Sequence, residues 1–124
     1  MLFHFTSGDR CSGIARDGIA PLGVVSLDGR SLYARCLWLT DEPNPQCQPW
    51  AHIDGGRDKL AVRLAVEPAR AVRWFDYARE HRATPAWVAA TIAFGSEHWW
   101  LTDETLQPVE VHVRGGTRTG QLVG

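Results

Sequence analysis

Lysine is nearly missing from this chain: one Lys stands against twelve Arg, and the formal net charge is −1. No basic run carries interleaved aromatics. That argues against a protein that holds nucleic acid by electrostatics alone, though not against one that modifies it. Cys11, Cys36 and Cys47 are odd in number and form no C-x-x-C pair. They give neither a disulfide framework nor a zinc knuckle, so a reducing, cytoplasmic setting without a bound metal is expected. No apolar run approaches membrane length, and Met1 is not followed by a basic stretch and an apolar core of the kind that directs export. No membrane partner is expected. Internal repeats, G-x-G-x-x-G and G-x-x-x-x-G-K-[ST] are all missing, and the Gly-Gly pairs at 55 and 115 are too bare to be phosphate loops.

What the chain does have is tryptophan, six in 124 residues, and length enough for one domain with a core of its own. Leu2–Thr6 reads as a strand, Phe3 and Phe5 pointing one way into the core and His4 and Thr6 the other. Ser7 is suited to cap a short helix that buries Cys11, Ile14 and Ala15, with Gly18 ending it and Ile19 packing back. Residues 21–30 are rich in turn formers and include an Asp28-Gly29 pair. Residues 31–40 recover strand character, Leu37 and Leu39 on one face, Trp38 and Thr40 on the other. Residues 41–57, with three prolines and a Gly-Gly pair, read as a long irregular loop of the sort that is functional or mobile.

Residues 59–66 alternate as a strand. Residues 68–82 suggest a short extended piece at 71–73 and then a helical turn or two. Thr84-Pro85 is a helix start, and Gly95 a stop. The aromatic strand His98-Trp99-Trp100-Leu101 follows, with Glu97 at its mouth, and then a strand in which Val109, Val111 and Val113 alternate with Glu110, His112 and Arg114. Residues 1–116 are read as one domain and 117–124 as a short tail. Five or six short strands with two or three short helices, without βαβ alternation, define an α+β domain on an antiparallel, split sheet.

Three residues of possible chemistry lie on three separate strands: His4, Trp38 and Glu97. Their order and setting resemble the ADP-ribosyltransferases of the diphtheria-toxin and poly(ADP-ribose) polymerase type, whose signature is His, then Tyr, then Glu. Leu2-Phe3-His4-Phe5-Thr6, with Ile14-Ala15-Arg16-Asp17-Gly18-Ile19, is similar to their opening L-x-H-x-T … I-L-x-x-G-L. Leu37-Trp38-Leu39-Thr40-Asp41 is similar to I-Y-F-A-D, with Trp38 in the Tyr place. Ser96-Glu97-His98-Trp99-Trp100-Leu101-Thr102 is similar to N-E-Y-I-V-Y-N. Small bacterial and phage-borne proteins that begin H-x-T and carry E-H-W-W near the end are also similar.

The resemblance implies that sheet type and NAD as co-substrate, cleaved at its nicotinamide–ribose bond. ADP-ribose would pass to a protein, nucleic-acid or small-molecule acceptor, as in a bacterial toxin or phage factor. Such a cleavage passes through an oxocarbenium-like state, as glycoside hydrolysis does. The resemblance makes Glu97 the carboxylate that binds the ribose 2′-hydroxyl and stabilises that charge. His4 fixes the ribose hydroxyls, the main chain of Phe5 grips the carboxamide with Thr6 nearby, and Trp38 stacks on nicotinamide. Trp in place of Tyr departs from the pattern. Arg63, between the small Ala61 and Ala65, is a candidate for the pyrophosphate, with a surface ion pair as its other reading. Trp50, Trp74 and Trp87 are assigned to packing. Two other functions stay open: RNA 2′-phosphotransfer on the same fold, and a non-catalytic module that binds NAD, ADP-ribose or another protein.

Overall fold

Period-two alternation of apolar residues makes strand the more common regular structure among the described residues, ahead of helix. The computed structural model describes residues 1–52, 59–114 and 116–119. Its strands are β1 (Leu2–Thr6), β2 (Gly23–Leu27), β3 (Arg30–Thr40), β4 (Val62–Val66), β5 (Val72–Arg73), β6 (Trp99–Thr102), β7 (Glu110–Val113) and β8 (Gly116–Thr119). Three helices accompany them: α1 (Cys11–Asp17), α2 (Trp74–Glu80) and α3 (Pro85–Ile92). The strands lie in the order β5-β6-β3-β1-β4-β7-β8, with β2 added to β3, and these pairings are antiparallel. The protein is therefore α+β. No helix among the described residues is long and apolar enough to cross a membrane.

Each face of the sheet has its own core. Leu37, Leu39, Val62, Leu64, Val66 and Val111 gather on one side with Ile14 of α1, Ile19 and Leu106. Gly18, at φ +78°, ends α1, and Ile19 then exchanges main-chain hydrogen bonds with Leu106. On the other side Val25, Leu27, Cys36 and Leu101 pack with Trp74 and Ala78 of α2. Alternation along β3 sends Leu37 to the first core and Cys36 to the second.

Three elements differ from the sequence-based expectation. Residues 23–27, expected as turn, form β2, because Val25 and Leu27 alternate with outward Val24 and Ser26 and are fully buried. Asp28 and Gly29, both at positive φ, then make the two-residue turn that joins β2 to β3. The Asp28 carboxylate also accepts hydrogen bonds from the Thr84 main-chain N–H and hydroxyl, while Thr84 Oγ1 caps α3 by accepting from the Trp87 N–H. Residues 117–119, expected in a tail, lie in β8 beside β7. The strand expected over 59–66 is shorter at its start, running from Val62.

The junction of β1 with β3 decides where a ligand can go. β1 makes five register pairs with β4 but one with β3, Phe3↔Thr40. Beyond that pair the two strands part. His4 spans the gap with its ring, Nδ1 lying 3.0 Å from the carbonyl oxygen of Trp38.

Candidate active site

A cavity of about 680 Å³ opens where β1 and β3 part. His4, Phe5 and Thr6 line it from β1, Trp38 and Thr40 from β3, and Trp99 from the start of β6. Trp50 closes it from the loop after β3, and Arg10 and Lys59 are its cationic groups. The described residues of its wall include no carboxylate. The register accounts for part of this set. Thr40 is opposite Trp99, and Phe3 opposite Thr40, so all three share a face. Phe3 and Phe5 thus face the cavity instead of a core, and His4 pairs with the core residue Leu64.

A carbonyl can only accept, so the bond to Trp38 O places a proton on His4 Nδ1. Burial lowers the pKa of His4 from its ordinary value, the bond to Trp38 opposes that, and the positive field of Arg10 adds to the lowering. The neutral ring then carries its lone pair on Nε2. Trp38 is half-buried and held on several sides. Its ring centre lies 5.4 Å from that of Trp74 and 5.5 Å from that of Trp99, and its Nε1 donates to the Val24 carbonyl at 3.3 Å.

Glu97 does not line the cavity. The alternation of β6 does not reach back to it, because Ser96–His98 is a 3-10 turn. Gly95 at φ +87° begins that turn, and buried Ser96 anchors it by accepting from Thr91 Oγ1 at 2.8 Å. The Glu97 side chain is 46% exposed, with Oε1 3.8 Å from His98 Nε2. The turn nevertheless flanks the cavity: Gly95 packs on Pro49, the neighbour of Trp50. Arg63 is also outside the wall. Its guanidinium lies over the Phe3 ring, donates to the Pro43 carbonyl at 2.9 Å and stands 3.9 Å from Glu110.

Sequence reasoning missed three features. Trp50, assigned to packing, is a cavity residue; an aromatic in a proline-rich loop was the available signal. Trp74 and Trp87 do pack in the second core. Arg10 and Lys59, not Arg63, supply the charge in the wall. Asp41 binds two rings at once, His98 Nδ1 at 2.7 Å and Trp100 Nε1 at 3.0 Å, which fixes the start of the loop to the start of β6. Among the described residues no group of three His, Cys, Asp or Glu is placed to hold a metal ion. Comparison with protein-family models, with curated proteins and with solved structures gave no match for this chain.

Proposed function

We propose that this chain is an NAD-dependent ADP-ribosyltransferase, and that its sheet is of the split type used by that class. One observation carries the reading: His4 and Trp38, 34 residues apart, meet in a single aromatic-walled cavity at the parting of β1 and β3. Its volume, about 680 Å³, falls within the range that takes drug-sized ligands. Flat rings suit nicotinamide, an imidazole with a fixed tautomer suits ribose hydroxyls, and cations suit the phosphates. Glu97 is the catalytic carboxylate in this reading. Two residues before the wall residue Trp99, it reaches the ribose by turning its side chain inward when NAD binds. There it stabilises positive charge at the anomeric carbon as nicotinamide leaves. The acceptor is a macromolecule of the cell in which the protein acts, as a toxin or phage factor would require.

The test is release of nicotinamide and transfer of label from NAD, in buffer and in cell extract, by wild type and Glu97→Gln. Loss of one such stabilising group lowers turnover by about 100- to 1,000-fold, with NAD binding retained. Wild type without turnover in either medium removes the enzymatic reading. The exposed position of Glu97 favours one alternative, a module that binds NAD or ADP-ribose without cleaving it. Binding without turnover in both proteins would establish that alternative.

A further inference from the structure

Thr40 and Trp99 face each other across β3 and β6, and both line the cavity. One residue beyond each stand Asp41 and His98, joined by a hydrogen bond from the Asp41 main-chain N–H to the His98 carbonyl at 3.0 Å. Their side chains meet as well. Asp41 Oδ1 accepts from His98 Nδ1 at 2.7 Å, and Oδ2 accepts from Trp100 Nε1 at 3.0 Å. An ionised carboxylate can only accept, so it fixes the proton on Nδ1 and leaves the lone pair of the neutral ring on Nε2. Trp100 lies in turn beneath the guanidinium of Arg73, which donates to the Glu97 carbonyl at 3.3 Å. The rim of the cavity thus carries an imidazole oriented by a carboxylate. Its other nitrogen, Nε2, is 3.8 Å from Glu97 Oε1, and the side chain is 41% exposed.

We propose that His98 is the general base that takes the proton of the acceptor, and that Asp41 is its positioning residue. This rests on the reading of the chain as an ADP-ribosyltransferase and deepens it by naming the acceptor's class: a nucleophile with a proton to give up, an O–H or N–H, and not a carboxylate. The described residues of the wall offer no carboxylate for that task, and His4 is held to the Trp38 carbonyl. Glu97 is engaged at the ribose in that reading, and its inward turn uncovers His98 Nε2. The exposure of His98 suits a partner that arrives from solvent. The step balances. The bond from the ribose to nicotinamide breaks with its electron pair left on the pyridine nitrogen. The acceptor's lone pair forms the new bond to the anomeric carbon, and its proton passes to Nε2. Asp41 faces the imidazolium so formed, which returns the proton to water.

Two readouts on the same proteins separate the steps: nicotinamide release in buffer, and transfer of label from adenylate-labelled NAD to macromolecules of a cell extract. Loss of a general base lowers the step it serves by about 100- to 10,000-fold. His98→Ala should therefore lose label transfer by about that factor while nicotinamide release in buffer stays within about 3-fold of wild type. Added imidazole should restore transfer in His98→Ala and not in Glu97→Gln. His98→Gln, which can still donate to Asp41 but has no basic nitrogen, should show the same selective loss, and it replaces His98→Ala if thermal unfolding shows that variant not to fold. Asp41→Asn should lower transfer in the wild-type background and have no further effect in His98→Ala, because its role passes through His98. Transfer within about 3-fold of wild type in His98→Ala, with Glu97→Gln inactive, overturns the proposal and leaves the enzymatic reading standing. So does equal loss of both readouts in the folded variants, or a selective loss that imidazole does not restore. Nicotinamide release by wild type without label on any macromolecule also overturns it, since no acceptor then needs a base. Wild type inactive in both readouts removes the proposal and the enzymatic reading together.

Discussion

Replacing Gly23 by alanine tests whether the cavity wall is set by close approach of two strands. Gly23 lies opposite Cys36, beside the register shift in the β2–β3 ladder. A Cβ there would stand 2.7 Å from the Cys36 carbonyl oxygen and 3.0 Å from Cδ1 of Trp38. The first neighbour is ladder backbone; the second belongs to an indole already held by Trp74 and Trp99. Neither moves freely, and overpacking of this kind costs about 1–3 kcal/mol. For a domain of this size each kcal/mol moves Tm by about 3–5 °C. The variant should therefore melt about 3–15 °C below wild type by circular dichroism. Its near-ultraviolet spectrum should change as well, since Trp38, Trp74 and Trp99 are mutually in contact. Gly8→Ala is the control, because nothing lies within 4 Å of its Cβ position. A Tm within about 1 °C of wild type, with an unaltered near-ultraviolet spectrum, would refute the argument that Gly23 is required by close packing on Trp38.

His4 and the cysteines give further tests. Burial holds the His4 pKa below its ordinary 6.5, so in that window the unfolded chain binds a proton that the folded chain does not. Stability contributed by the neutral ring is complete above about pH 6.5 and is lost as pH falls toward the folded pKa; denaturant unfolding at several pH values should show a shallower acid decline in His4→Asn than in wild type, and equal declines would contradict the assignment. Cys36 is buried, with its thiol pushed up to about 11, whereas Cys47 is exposed. A thiol reagent at pH 8 should label Cys47 in the folded protein and Cys36 only on unfolding, and prompt labelling of Cys36, mapped by mass spectrometry, would sink the placement of β3 against α2.

Much of the fold was legible because its signals are local. Gly18 after Ile14, Pro85 after Thr84 and the alternation Val62-Arg63-Leu64 each state their element within a few residues, and each forms as read. β2 was not legible, since Pro21, Gly23 and Asp28 punctuate the segment as a turn would. What makes it a strand is a partner, β3, on which Val25 and Leu27 become buried. The site divides in the same way. His4, Phe5, Thr6 and Trp38 sit within regular strands, so their order along the chain carried them to one cavity. Glu97 sits past the end of one, where the Thr91–Ser96 hydrogen bond winds the chain into a turn that no alternation pattern reports. Trp50 depends on Gln48 and on a loop closed by side-chain amides, and such closure has no periodicity to read.

The looseness of Glu97 bears on whether an inward turn is affordable to the protein. Its one side-chain polar partner described is His98 Nε2, at 3.8 Å, between groups that are both about two-fifths exposed or more. A contact of that length and exposure is worth at most about 1 kcal/mol. His98 does not depend on it, because Asp41 holds the other ring nitrogen at 2.7 Å and Trp100 holds Asp41. The turn itself is fixed by Ser96 and Gly95, on main-chain and hydroxyl contacts that the Glu97 carboxylate does not enter. Rotating that side chain toward the cavity therefore breaks one weak contact and leaves β6, the loop and Trp50 where they are. The His4 bridge, in contrast, adds a side-chain bond between β1 and β3 where the two strands share a single register pair. Under the proposed function, a movement of Glu97 would therefore cost little, and Glu97→Gln would lower turnover while leaving NAD binding in place.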